Sequence, residues 1–252
     1  MRRLTIFILL MFLWLMPVHA QAVASNQAHL QELLAASSAS YAQVKDYSSF
    51  FYKEERSEKG IDPKEKIYLK FEKPFKIFMK WLEPDRKGGV QVMYERGQHN
   101  NKLVVHKPGL LLGLAPIIFL DQNSPYVKEG SASYNIEDAG IGAFLTDLSE
   151  DVEKASKDGK LKAEFPEATD QGQSVDIVFE GSSKQSGFMA YRVVVFFDRA
   201  TNLPIRMQLF DWNGNVTGTY AYEDLKLNTG STDPEFKKES HRKLFKLYNH
   251  IE

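Results

Sequence analysis

Strict alternation of apolar and polar residues is the sequence feature that most constrains this fold. In residues 66–72 every second side chain is apolar, and after Pro74 the same period continues in the next run. The apolar positions are Ile67, Leu69 and Phe71, followed by Phe75, Ile77, Met79 and Trp81. A period of two predicts β-strands with one apolar face, and a proline between two such runs predicts a turn.

Similar patterns along the chain predict two antiparallel meanders. The first comprises residues 48–56, 66–72, 75–81, 90–96 and 102–106, and the second comprises residues 174–179, 191–198, 204–211 and 217–228. Asn213-Gly214 is typical of a tight hairpin turn. Because no linker-like composition separates the two meanders, we expect one highly curved antiparallel sheet and a mainly β, α+β fold.

Three amphipathic segments predict helices that cover this sheet. Leucines recur at helical spacing in residues 26–46, and residues 137–156 have apolar side chains on one side and acids on the other. A basic amphipathic helix is predicted from about residue 233 to the end.

The central segment, residues 110–120, is almost entirely apolar but contains Gly113 and Pro116. It is too short to span a bilayer, which needs about 20 residues. One interpretation is that it fills a core; the other is that it is a mobile cover over a ligand cavity, since Gly and Pro do not support a rigid helix. Under the second interpretation the ligand contacts are Leu110, Leu111, Leu112, Leu114, Ile117, Ile118 and Phe119.

The N-terminus has the pattern of an export signal. Arg2 and Arg3 precede an apolar run, and small residues follow it. We predict a signal peptide over residues 1–20, cleaved after Ala20 or Ala24, and a single domain over residues 21–252; the alternative is a retained membrane anchor. An exported chain without any cysteine favours the bacterial periplasm.

Several classes of chemistry lack support in the sequence. There is no cysteine for disulfides, thiolate metal sites or nucleophilic catalysis, and the histidines have no metal-ligand spacing. The formal net charge of -1 gives no indication of a nucleic-acid partner. No nucleotide-binding or hydrolase motif occurs. We therefore predict a binding protein without cofactor or metal, with hydrolysis by an acid pair as the enzymatic alternative.

The order of elements resembles the LolA/LolB superfamily of periplasmic lipoprotein carriers. Local matches include residues 47–56, residues 69–75 with Pro74, and the turn at residues 81–84. Residues 202–205 and 211–214 are similar to the closing hairpins of that superfamily. Gly130-Ser131 followed by residues 138–142 resembles an uncharacterised family in the same clan.

This resemblance implies an unclosed barrel with helices over its concave face and an apolar cavity for acyl chains. It places Phe75, Ile77, Met79 and Trp81 on the cavity side, although the same four residues also suit plain sheet core. In the lipoprotein carrier an arginine before proline latches the cover; the matching residue is Lys73, which lacks the planar fork of arginine.

Two functions therefore remain open. The first is a periplasmic carrier or chaperone for a lipid or acylated lipoprotein, with transient membrane contact only. The second is a sensor or assembly module of the cell envelope that binds a protein partner through the basic C-terminal helix, whose cationic residues are Lys237, Lys238, Arg242, Lys243 and Lys246.

Overall fold

The computed structural model describes residues 18–57, 60–84, 88–107, 117–124, 127, 135–166 and 168–230. Most of the predicted signal peptide, the central residues Leu110, Leu111, Leu112 and Leu114, and the predicted C-terminal helix lie outside the described residues. None of the described helices is long and apolar enough to cross a membrane.

The described residues form two α-helices and twelve strands. The helices are α1 (Val18–Ala42) and α2 (Ile141–Lys157). The first strands are β1 (Asp46–Ser57), β2 (Gly60–Ile61), β3 (Glu65–Glu72), β4 (Lys76–Glu83), β5 (Gln91–Glu95), β6 (Leu103–His106) and β7 (Ile117–Leu120). The later strands are β8 (Leu161–Glu164), β9 (Gly172–Phe179), β10 (Arg192–Asp198), β11 (Pro204–Phe210) and β12 (Val216–Leu227).

All strands belong to one antiparallel sheet in the order β7-β6-β5-β4-β3-β1-β12-β11-β10-β9-β8, with β2 paired to β1 alone. The long strand β1 joins the two meanders because it pairs with β3 on one side and β12 on the other. The edge strands β7 and β8 are not paired with each other in the described part of the chain. The prediction of a highly curved, unclosed antiparallel sheet is confirmed.

The helices lie on the concave face, where alternating side chains of both meanders point. Leu30 and Leu34 of α1 and Leu145 and Leu148 of α2 are buried together with the inner residues of the second meander. The strand residues in this cluster include Val175, Ile177, Val193 and Val195. Burial of apolar surface, at about 25 cal/mol per Å², is what holds the two helices to the sheet.

The helix boundaries differ from the predicted ones at three ends. Within the described residues α1 begins at Val18, so that both predicted cleavage positions, Ala20 and Ala24, lie inside it, and it ends at Ala42 rather than at residue 46. α2 begins at Ile141 because Ile136–Asp138 forms a separate 3-10 turn, and Gly140 with φ of 107° separates the two.

Core filling and a mobile cover were both open for the central segment, and the structure places its last residues in the sheet. Ile117–Leu120 forms β7, with Ile118 opposite Val105 of β6. Two β-branched residues and an aromatic one suit a strand, and the edge of β6 supplies the hydrogen-bonding partner. The short strand β8 was not predicted at all.

Candidate functional site

Phe75, Ile77 and Met79, three of the predicted ligand contacts, lie inside the core of the first meander. They share a buried cluster with Tyr47 and Leu69, and Ile77 is 0% exposed. Ile77 and Met79 lie two residues apart in β4 and point to the same face, and Phe75, just before the strand, keeps the same alternation. At these three positions the structure shows side chains packed against side chains; a role in ligand binding stays a prediction.

Trp81, the fourth predicted contact on this face, belongs to a less buried surface that we call the apolar strip. The strip consists of Trp81, Val92, Val105 and Ile118, all half-buried. Val92 lies opposite Val105, and Val105 lies opposite Ile118, so these three side chains cross β5, β6 and β7 in one row. The described helices pack chiefly against β8 and β11. The strip therefore lies outside the strands that the described helices contact most.

A group of charged side chains lies at the Trp81 end of the apolar strip, and we call it the polar cluster. Its members are Lys53, Glu55 and Glu65. Lys53 Nζ lies 2.9 Å from Glu55 Oε2. Tyr220 donates its hydroxyl hydrogen to Glu55 Oε1 at 2.8 Å, and the Trp81 indole N–H donates to Glu65 Oε2 at 2.8 Å. Glu55 and Glu65 are buried, with exposures of 9% and 6%.

Lys73 contacts the end of α1. Its Nζ donates to the carbonyl oxygens of Tyr41 at 2.7 Å and Ala42 at 3.3 Å, and it lies 4.4 Å from the centre of the Tyr41 ring. A cation is stabilised at a helix C-terminus by the unpaired carbonyls and the helix dipole. Burial lowers the pKa of Lys73. That Lys73 latches a cover that opens is still a prediction.

The start of α2 meets two tyrosine hydroxyls instead of a capping side chain. Tyr47 Oη accepts the Ile141 N–H at 3.3 Å, and the Gly142 backbone hydrogen-bonds to Tyr41. Burial raises the pKa of Tyr41 and outweighs the lowering by the Gly142 hydrogen bond, so that the pKa is about 12. Burial also raises the pKa of Tyr47 well above its ordinary value. A side chain at Gly142 would overlap the Tyr41 ring, which accounts for that glycine.

Ile117 and Phe119 lie on the convex face, opposite to Ile118. They pack with Phe78, Met93 and Val104, and among these Phe119 alone is only partly buried. The two predicted contacts thus belong to a small second core, whereas Ile118 remains on the concave face.

Other features lie away from this surface. A cleft of about 390 Å³ near the turn between β10 and β11 is lined by Phe196, Arg199 and Arg206, among others, and by none of the predicted residues. The described residues contain no group of three or more side chains suited to hold a metal ion.

Sequence reasoning missed the polar cluster and the tyrosines at the start of α2. The indication for the first was available: Lys53 and Glu55 continue the phase of Tyr47 and Phe51 on β1, where an apolar residue is expected. Tyr41 and Gly142 carry no comparable local pattern, because their contact joins positions 101 residues apart.

Solved structures with a similar course of the chain are known. A LolA-superfamily protein from Nitrosomonas europaea matches with 10% identity and a TM-score of 0.38, over 83% of this chain and 98% of that one. A DUF1329 family protein from Desulfovibrio piger matches with 11% identity and a TM-score of 0.42, over 85% and 98%. MucB in the Pseudomonas aeruginosa MucA/MucB complex matches with 9% identity and a TM-score of 0.45, over 82% and 60%.

These likenesses identify no ligand for this chain. No curated protein matches its sequence. The family model described as a protein of unknown function, DUF1571, matches residues 44–245, from the turn after α1 to the C-terminal segment. The chain belongs to the DUF1571 family.

Proposed function

We propose that this protein binds a lipid or the acyl chain of a lipoprotein on the concave face of its sheet and acts as a periplasmic carrier or chaperone. The observation that carries the proposal is the half-buried apolar strip of Trp81, Val92, Val105 and Ile118. Soluble proteins bury such side chains where they can, so an apolar row outside the strands that the described helices contact most suits an apolar ligand.

Carriage of this kind needs no catalytic group. Transfer of a chain between the strip and a membrane exchanges one apolar surface for another, at about 25 cal/mol per Å² in each direction. The ends of α1 and α2 are held by polar contacts, Lys73 on Tyr41 and Tyr47 on Ile141, which are individually weak enough to break and re-form. A wider space for a long chain is produced by moving these helix ends away from the sheet.

The proposal is tested by titrating the purified protein with a fluorescent fatty acid. We expect saturable binding by the wild type and a loss of at least tenfold in affinity for V92K, because an ammonium in the strip is costly to bury. Q91K is the matched control: Gln91 precedes Val92 in β5 and points to the convex face.

Absence of binding to the wild type, together with no lipid in native mass spectra of protein from its own envelope, would overturn the proposal. Equal loss in V92K and Q91K would also contradict it. A single envelope protein recovered in stoichiometric amount instead of lipid would support the protein-binding alternative.

A further inference from the structure

Strand β8 lies at one end of the sheet and has an outer edge that no other described strand covers. In the described part of the chain it pairs only with β9, with Leu161 opposite Phe179. Phe179 donates its backbone N–H to Tyr191, on the side of β10, so its polar groups point away from β8. Opposite residues of an antiparallel pair have the same bonding state, and these states alternate along the strand. Leu161 therefore points its own N–H and carbonyl outward, as does Ala163 two residues later.

Two amide side chains of α1 occupy the outward carbonyls of β8. Asn26 Nδ2 donates to the Ala163 oxygen at 2.9 Å, and Gln27 Nε2 donates to the Leu161 oxygen at 2.6 Å. Attachment of the helix to the sheet rests on other residues of α1 such as Leu30, which is fully buried in the core. The two amides thus supply hydrogen bonds of the kind that a further strand would supply.

A second copy of this chain has an edge that complements β8. When Ala163 lies opposite its own counterpart in an antiparallel pair, the outward residues face each other and Lys162 lies opposite Glu164 twice. Opposite charges directly across two strands stabilise the pairing, whereas like charges weaken it. A pairing centred on Lys162 or on Glu164 sets like charges opposite each other. Charge complementarity therefore favours one symmetric register.

We infer that Asn26 and Gln27 shield the edge of β8 and thereby prevent two copies of this chain from pairing through it. An uncovered edge pairs readily with another chain, because its N–H and carbonyl groups are already aligned. The shield consists of two hydrogen bonds, so loss of both amides uncovers the edge while the core still holds α1 to the sheet. The resulting dimer has two-fold symmetry, since the same strand contributes both halves.

Sedimentation equilibrium of the purified wild type and of N26A/Q27A tests this inference. We expect the double variant to self-associate at least tenfold more tightly, because each lost hydrogen bond leaves a carbonyl for the second strand. Alanine is the best helix former, so α1 is retained. S25A/Q31A is the matched control: it removes one hydroxyl and one amide from exposed positions of the same helix and should behave as the wild type.

Charge reversal identifies the surface in contact. Adding K162E to N26A/Q27A sets glutamates opposite each other and should abolish the gain in association, and adding E164K as well should restore it. The fold tolerates K162E because the ion pair of Lys162 with Glu180 lies at the surface. Association of N26A/Q27A equal to that of the wild type overturns the inference and leaves the proposed function standing. A gain that K162E does not reduce, or that S25A/Q31A shows equally, also overturns it.

Discussion

Lys73 Nζ lies 2.7 Å from the carbonyl oxygen of Tyr41, the second-last residue of α1, and the same ammonium lies 4.4 Å from the centre of the Tyr41 ring. One side chain in the turn between β3 and β4 thereby fixes the end of the first helix against the sheet. Both the charge and the length of that side chain matter for this contact.

Replacing Lys73 with methionine keeps an unbranched apolar stem and removes the ammonium. We expect K73M to lower the free energy of unfolding by about 1 kcal/mol, as for a partly exposed charged hydrogen bond at a helix C-terminus. Urea unfolding measures this change, and hydrogen exchange should show faster opening at the end of α1. K45M is the control, because the Lys45 side chain is exposed; an equal effect in both variants would contradict the assignment.

Substitution of Gly142 by alanine should destabilise the protein although alanine is the better helix former by about 1 kcal/mol. The added methyl group overlaps the Tyr41 ring. We expect a loss of about 1–3 kcal/mol for G142A, as for other overpacked positions. In the Y41A background the same change should be neutral or stabilising, and a double-mutant cycle by urea unfolding measures that coupling. Additive effects would show that the two residues do not interact.

Stability should fall in alkaline solution through Tyr41. Burial raises the pKa of its hydroxyl from 10.0 to about 12, so the unfolded chain loses this proton before the folded one does. The contribution is complete below about pH 10 and is lost as the pH rises towards about 12. Unfolding by urea at pH 8, 10 and 11 should show a steeper decline for the wild type than for Y41F. Identical slopes would be evidence against a raised pKa.

Substitution of Phe78, which lies in the convex-face core, should strongly lower the free energy of unfolding. The sequence pattern alone places this residue on the polar side of its strand. Phe78 packs with Met93, Val104 and Ile117 and is 6% exposed. We expect F78A to cost about 3–5 kcal/mol, the usual range for a buried phenylalanine. K80A is the control, because Lys80 lies two residues after Phe78 on the same face. Its free energy of unfolding should stay within about 0.5 kcal/mol of the wild-type value. A small effect of F78A in thermal or urea unfolding would exclude this second core.

The sheet could be predicted from local sequence patterns, because burial of one face requires the alternation found in strands such as β4. β8 was missed because Leu161–Glu164 has only two apolar residues, alternating with Lys162 and Glu164, and is too short for a pattern to stand out. β7 was hidden in an apolar run, where a period of two cannot be distinguished from continuous hydrophobicity.

The candidate functional site was harder to predict from the sequence. Lys73 was singled out through a resemblance, and its partner on α1 could be found only from the folded chain. The polar cluster depends on two strand pairings. The register between β1 and β3 sets Lys53 opposite Glu65, and β12 pairs with β1 on its other side. Pairings of that kind join residues far apart in sequence, and no single strand contains them.

Tyr41 has three contacts at once: its carbonyl and ring hold Lys73, and its hydroxyl meets the Gly142 backbone at the start of α2. The two helices consequently share one side chain at this junction. The carbonyl and the hydroxyl of this one residue thus join the end of α1 and the first turn of α2. A substitution at Tyr41 therefore alters the surroundings of the end of α1 and of the start of α2 together.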